Sequence, residues 1–172
     1  LAATADDEAF LATETDPIAE PVLTYGGPTR TGSGSFSLRA SGAITVDAAV
    51  EVLGGGNLLL EAAGALEVAE AVTVAVRGGA GAPSGTLSLI AGQAITLQSA
   101  SALVAQGGDI DLESRLSGIT MAAQSELDED TLAAATIKSQ GGNIRLAASE
   151  TLQVSEVDAS GEGASGHLSL IS

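Results

Sequence analysis

The stretch Gly141-Gly-Asn-Ile-Arg-Leu-Ala-Ala-Ser-Glu-Thr-Leu-Gln-Val154 contains two short runs of alternating apolar residues, separated by a corner of small residues. Its opening pattern is a glycine, an apolar residue two positions later and a leucine four positions later, and the chain holds six copies. A second apolar pair begins ten residues after the glycine, or eleven in the fourth copy. This fixed offset indicates a repeated structural unit. The leading glycines are Gly34, Gly56, Gly85, Gly108, Gly142 and Gly166.

The alternation predicts short β-strands that stack. A period of two places Leu58 and Leu60 on one face of a strand and Leu59 on the other. One such strand cannot bury its apolar face alone, so identical units must pack on one another. Successive leading glycines are 22, 29, 23, 34 and 24 residues apart, which fits one coil of two or three strands. The sequence therefore predicts an all-β parallel β-helix of about five to six coils.

Two competing repeat folds fit the pattern less well. The leucine-rich-repeat signature is absent, and an apolar spacing of two does not match helical repeats. A third strand in each coil is visible at Val50–Val52 and again at Val72–Val76, and the pattern is fainter in later coils. The small residues Ala62 and Ala91, which follow the first strand, are expected to turn inward at a corner.

Composition limits the classes of partner. The chain has 172 residues and a formal net charge of −16, with only six scattered bases, which argues against nucleic acid and anionic membranes. No run of eighteen apolar residues is present, so we expect no membrane insertion. The absence of cysteine excludes disulfides and thiolate metal sites. With no initiator Met and no signal-peptide pattern, we expect a mature form or a fragment.

Residues 1–31 differ from the rest of the chain. They carry six acids and three of the four prolines, with no base before Arg30, so composition predicts an extended acidic segment ahead of a β-helix at 32–172. Its apolar residues are expected to pack on a surface, either on the same rod or on a neighbouring subunit. These residues are Phe10, Leu11, Ile18, Val22, Leu23 and Tyr25.

The last copy of the repeat consists of its first strand alone. Such an edge leaves backbone groups and the apolar residues Leu168 and Leu170 open, and Phe36 and Leu38 are expected at the opposite edge. Uncovered strand edges recruit other strands, and head-to-tail contacts between copies give filaments. We therefore predict a subunit interface at the two ends of the rod, together with the apolar residues of the segment 1–31.

Acidic clusters are the candidate cation sites. Glu126, Asp128, Glu129 and Asp130 lie in an insertion and are a candidate for weak calcium binding, since Ca²⁺ takes oxygen ligands. Asp109, Asp111 and Glu113 alternate with Ile110 and Leu112 and are better interpreted as a solvated acidic face. The sequence predicts no other cofactor.

One polar position recurs directly after the leading glycine. Asn57, Asp109 and Asn143 occupy it, which fits stacked side-chain ladders or simple turn chemistry. His167 stands at the same position, and as the only histidine it supports neither a catalytic triad nor a zinc site. The sequence therefore predicts no enzyme.

The units Gly107-Gly-Asp-Ile-Asp-Leu112 and Gly141-Gly-Asn-Ile-Arg-Leu146, with Val157-Asp-Ala-Ser-Gly161 after the second strand, resemble filamentous-haemagglutinin-type repeats. The resemblance covers about residues 32–172. It implies a right-handed parallel β-helix, export to the bacterial cell surface, and adhesion or matrix building without catalytic residues.

These observations lead to two functional hypotheses. The first is an extracellular structural subunit that stacks head-to-tail into a filament or matrix fibre, with the chain itself as partner. The alternative is a fragment of a large secreted adhesin or passenger stalk, for which surface glycans are the candidate partner.

Overall fold

The computed structural model describes residues 8–10, 22–25, 29–31, 34–79, 84–127, 130–161 and 164–172, with side chains from residue 34 onward except at 125–132 and 164. Within these residues the fold is all-β and contains no helix. Three parallel sheets run along the molecule, and their strands stack in the order of the chain. The predicted parallel β-helix, or β-solenoid, is therefore confirmed.

The first sheet has seven described strands, numbered here in chain order over the whole molecule. Each pairs in parallel with its neighbour one coil away. The strands are β1 (Glu8–Phe10), β4 (Phe36–Ala40), β7 (Leu58–Ala62), β10 (Leu87–Ala91), β13 (Ile110–Ser114), β18 (Ile144–Ala148) and β23 (Leu168–Ile171).

The second and third sheets have six described strands each. The second sheet consists of β2 (Val22–Tyr25), β5 (Ala43–Val46), β8 (Leu66–Val68), β11 (Ile95–Leu97), β14 (Ile119–Met121) and β19 (Leu152–Gln153). The third consists of β3 (Thr29–Thr31), β6 (Val50–Val52), β9 (Thr73–Val76), β12 (Ala102–Ala105), β17 (Thr136–Lys138) and β20 (Glu156–Asp158).

One coil consists of one strand from each sheet, and corresponding residues of successive coils are stacked in register. Leu58 pairs with Leu87, which pairs in turn with Ile110. All three side chains are at most 1% exposed. This stacking buries each apolar face against the next coil, which supplies the hydrophobic stabilisation that a single coil lacks.

Small residues occupy the corner after the first strand, as the sequence predicted. Ala62, Ala91 and Ser114 are buried there. The hydroxyl of Ser114 donates a 2.6 Å hydrogen bond to the carbonyl oxygen of Gln93. No buried side-chain nitrogen or oxygen in the described part of the chain lacks a hydrogen-bond partner. A polar side chain can therefore occupy this corner without leaving a buried hydrogen-bonding group unpaired.

The third sheet continues through the later coils, although its apolar pattern is fainter there in the sequence. The strands β12, β17 and β20 extend it in register. Their inward positions include Ala105 and Ser139, whose small side chains weaken the apolar alternation without breaking the strand. Ser139 is fully buried, and its hydroxyl donates a 2.5 Å hydrogen bond to the carbonyl oxygen of Gly142.

Two antiparallel hairpins interrupt the regular coils. The first pairs β15 (Ser125–Leu127) with β16 (Asp130–Leu132), and it accounts for the longest spacing between leading glycines. The second pairs β21 (Ser160–Gly161) with β22 (Ala164–Ser165) just before the last strand. In the described residues, no helix is long and apolar enough to cross a membrane.

Candidate functional site

The C-terminal end of the solenoid presents core positions to solvent. We call this surface, made by β23, β19 and β20, the C-terminal face. Leu168 and Leu170 pair with Ile144 and Leu146 of the preceding coil, which are fully buried. Leu168 and Leu170 are each 48% exposed, and Val154, which follows β19, is 37% exposed. The C-terminal face therefore exposes a row of apolar side chains, and the corresponding row of each inner coil is covered by the next coil.

The residues predicted as a subunit interface at the two ends of the rod differ in position, and only one pair of them is at an end. Leu168 and Leu170 lie on the C-terminal face, whereas Phe36 and Leu38 are only 3% and 2% exposed. Their strand, β4, is not the outermost one, because β1 pairs with it on its outer side. A coil built from β1, β2 and β3 therefore stands between β4 and the N-terminal end.

The described parts of residues 1–31 join the three sheets. Phe10 pairs with Arg39, and Val22, Leu23 and Tyr25 pair with residues of β5 in the same chain. Leu11 and Ile18 lie outside the described residues. An inter-subunit bridge by this segment stays a prediction, and the strands β2 and β3 show how it engages its own rod.

The leading glycines form a column in which each coil leaves no room for a side chain. A Cβ on Gly56 would overlap the carbonyl oxygen of Gly34, and a Cβ on Gly142 would overlap that of Gly108. The same overlap recurs at Gly166 with the carbonyl of Gly142. Each leading glycine thus permits the close approach of two coils. The residue before it is often also glycine, as at Gly141, where φ is 109°.

The polar position after the leading glycine links successive coils by hydrogen bonds. The side-chain oxygen of Asn57 accepts the amide of Thr86 at 2.8 Å, and that of Asn143 accepts the amide of His167 at 3.1 Å. Asp109 accepts the amide of Asn143 at 2.8 Å. The predicted column is therefore present, and its bonds run from side chain to backbone rather than between side chains.

The predicted acidic face of β13 is paired with bases. Asp111 stands next to Arg145 in register, and Arg145 Nη1 lies 2.7 Å from Asp111 Oδ1 and 3.7 Å from Glu113 Oε2. Arg115 Nε lies 3.1 Å from Glu113 Oε1. The hydrogen bond from Arg145 to Asp111 raises the pKa of the guanidinium, with the charge of Asp111 as the second cause. These carboxylates therefore contact arginine rather than standing as a free cluster.

Other bases of the described chain also contact acids. Arg39 Nε lies 3.0 Å from Glu61 Oε2, Arg77 pairs with Glu51, and Lys138 Nζ lies 3.1 Å from Glu156 Oε1. The pairs join adjacent coils on the outer surface. Each contributes little by itself at this exposure, on the order of 0–1 kcal/mol. Their arrangement leaves the described part of the rod without a free basic patch for polyanions.

The calcium candidates lie at the first hairpin. Glu126 is in β15 and Asp130 is in β16, while Asp128 and Glu129 lie outside the described residues. The side chains of all four are likewise undescribed. Among the residues whose side chains are described, no group of three or more His, Cys, Asp or Glu could hold a metal ion. Weak calcium binding at the hairpin stays a prediction.

A shallow cleft of about 710 Å³ lies at the corner between the third and first sheets. Gln106, Gln140 and Ser160 line it with neutral polar groups, together with backbone of Gly107 and Gly161. Sequence reasoning missed it, although the repeated Gln-Gly-Gly before Asp109 and before Asn143 was a usable signal. Its amide and hydroxyl groups suit hydrogen bonding to neutral polar ligands.

No family model, no curated protein and no solved structure matches this chain. The class of the protein is therefore defined by its fold and surfaces. It is a parallel β-solenoid whose C-terminal face exposes the stacking positions of its own repeat.

Proposed function

We propose that this chain is an extracellular structural protein that stacks end to end into a filament or matrix fibre. The observation that carries the proposal is the C-terminal face. Leu168 and Leu170 occupy stacking positions that are fully buried in the coil before them, yet each is 48% exposed. Exposed apolar surface beside a strand edge favours pairing with another strand. The extracellular location is supported by the resemblance of the repeat units to bacterial surface repeats.

The partner in this proposal is a second copy of the chain. Every coil inside the molecule already pairs in parallel with a coil of the same pattern, so the required complementarity is present in one sequence. The net charge of −16 opposes association of copies. Assembly should therefore strengthen as salt screens that repulsion.

The test compares the size of the wild-type protein with that of Leu168→Asp/Leu170→Asp. Light scattering after size exclusion and negative-stain microscopy would be run at rising concentration and at two salt levels. Leu116→Asp is the matched control, since Leu116 is 73% exposed outside the three sheets. We expect filaments for the wild type and for the control, and monomers for the double variant. Wild-type monomers under all conditions would overturn the proposal.

A second candidate function is a segment of a longer adhesin stalk that binds surface glycans. The cleft lined by Gln106, Gln140 and Ser160 favours it, because amides and hydroxyls recognise sugar hydroxyls. A glycan array probed with the wild type and with Gln106→Ala/Gln140→Ala tests it. Binding that the double variant loses supports the stalk hypothesis, and a blank array contradicts it.

A further inference from the structure

The outer face of the first sheet carries a continuous row of ion pairs, which we call the charged stripe. Arg115 Nη2 lies 3.6 Å from Glu61 Oε1, and Arg115 Nε lies 3.1 Å from Glu113 Oε1. Arg115 thus joins two coils across Ile90, which pairs in register with both acids. Arg39 extends the row from Glu61, and Arg145 extends it from Glu113 to Asp111. The stripe consists of Arg39, Glu61, Arg115, Glu113, Asp111 and Arg145.

The charged stripe has no net charge, although the protein carries −16. Its three arginines balance its three acids. The second sheet and its flanking corners differ, because no base of the described chain lies within ion-pair distance of their acids. These acids are Asp47, Glu67, Glu70 and Glu150. Since like charges repel, two copies meet with less repulsion at the stripe than at the second sheet.

We propose that copies of this chain associate side by side through the charged stripe, so that filaments join into bundles. The signs of the stripe alternate along the rod, from Arg39 on β4 to Glu61 on β7, then Arg115, Glu113 on β13 and Arg145 on β18. A facing copy displaced by one coil, about 4.8 Å, therefore places opposite charges against each other.

The stripe is also suited to burial. Each of its charges already has a partner in its own chain, so a second copy covers it without leaving a charge unpaired. Leu59 and Ile90 lie on the same outer face and are half-buried, which adds apolar area to the contact. Arginine and apolar side chains together are typical of protein interfaces.

The area of the stripe explains why this inference rests on the proposed end-to-end stacking. The strands β4, β7, β10, β13 and β18 span five residues each and together cover about 17 Å by 24 Å, or about 400 Å². A stable interface buries about 800 Å² per partner, so one contact between two single copies is weak. A filament repeats the contact at every copy, and the repeated contacts hold two filaments together.

Charge reversal at the centre of the stripe tests the inference in the assembled protein. Arg115→Glu places an acid between Glu61 and Glu113, and it changes the net charge from −16 to −18. Arg77→Glu is the matched control, because it makes the same change of charge in an arginine that pairs with Glu51 beside the third sheet. Arg77 is 41% exposed and Arg115 is 51% exposed. Arg115→Lys keeps the charge of the stripe.

A second pair of variants adds one acid without removing an ion pair. Ser88 is in β10 and Thr96 is in β11, so the two residues lie on neighbouring strands of one coil, and both are half-buried outward positions. Ser88→Glu charges the face of the stripe, whereas Thr96→Glu charges the face of the second sheet. This pair decides alone if Arg115→Glu does not fold.

Negative-stain microscopy would count the rods in each filament, after circular dichroism has verified the fold of every variant. We expect bundles for the wild type, Arg115→Lys, Arg77→Glu and Thr96→Glu, and single filaments for Arg115→Glu and Ser88→Glu. Single wild-type filaments, bundles in either folded stripe variant, or an equal loss of bundles in the controls would overturn the side-by-side contact and leave end-to-end stacking intact. A wild type that forms no filaments would overturn both proposals.

Discussion

The backbone amide of Asn143 donates a 2.8 Å hydrogen bond to Oδ1 of Asp109, one coil earlier and 34 residues away in the sequence. The contact shows how this solenoid satisfies the backbone at the corners between its sheets. A side chain at one fixed position accepts the amide of the same position in the next coil.

Removing the acceptor at this corner should destabilise the fold measurably. We predict that Asp109→Ala lowers the free energy of unfolding by about 1 kcal/mol, the usual net value of such a hydrogen bond. Asp109→Asn keeps the oxygen and is the matched control, with a smaller loss expected. Urea denaturation followed by circular dichroism provides the measurement. Equal losses for the two variants would show that the hydrogen bond contributes nothing.

The glycine column predicts a contrast between two glycine substitutions. A Cβ on Gly142 would overlap the carbonyl of Gly108, whereas a Cβ on Gly79 meets nothing within 4 Å. We predict that Gly142→Ala costs about 1–3 kcal/mol or more, the range of overpacked sites. Gly79→Ala should change stability by less than about 0.5 kcal/mol, as at other open surface sites. A tolerated Gly142→Ala would contradict the steric explanation of the column.

A corner between the second and third sheets holds an alanine in the left-handed region. Ala100 has a φ of 56°, which costs an L-residue about 1–2 kcal/mol. Glycine avoids that cost, but the unfolded chain is more flexible at a glycine, which lowers the stability of the fold by about 0.5–1 kcal/mol. We therefore predict that Ala100→Gly raises the melting temperature, while Ala102→Gly in the regular strand β12 lowers it. A fall for both variants would argue against backbone strain at Ala100.

The turn after β20 predicts that the stability of the fold depends on the ionisation of one aspartate. Two hydrogen bonds from Ser160 lower the pKa of the Asp158 carboxyl. The larger effect comes from the Ser160 hydroxyl, and the second comes from the Ser160 backbone amide, whose nitrogen lies 2.8 Å from Asp158 Oδ1. A lowered pKa means that the contribution to stability is complete above the ordinary aspartate pKa and is lost as the pH falls through the lowered value. NMR titration of the Asp158 carboxyl carbon should give a midpoint below that of ordinary aspartate. Ser160→Ala should move it upward, and an unchanged midpoint would contradict the assignment.

Much of the fold could be predicted because the sequence repeats it. The alternation at Leu58–Leu60 and the fixed offset to Leu66 predicted parallel coils, and the structure places these residues in β7 and β8. The third sheet was harder to predict, since Ser139 at an inward position interrupts the apolar pattern although it is fully buried. Composition alone assigned residues 1–31 to an extended segment, and it gave no sign of their pairing with β4–β6.

The surfaces were less predictable than the strands. The sequence shows that Asp111 and Arg145 are charged, but only the register of β13 and β18 shows that they pair. The role of the leading glycines was also hidden, because a tight turn and a close approach of two coils require the same residue.

The axial repeat of the assembled filament tests the central claim most directly. The described sheets have six or seven strands each, which at about 4.8 Å per strand gives a repeat of about 29–34 Å for copies stacked end to end. Electron cryomicroscopy of wild-type filaments would measure the repeat from the subunit spacing along the axis. A repeat well outside that range, or a protein that stays monomeric, would contradict the account.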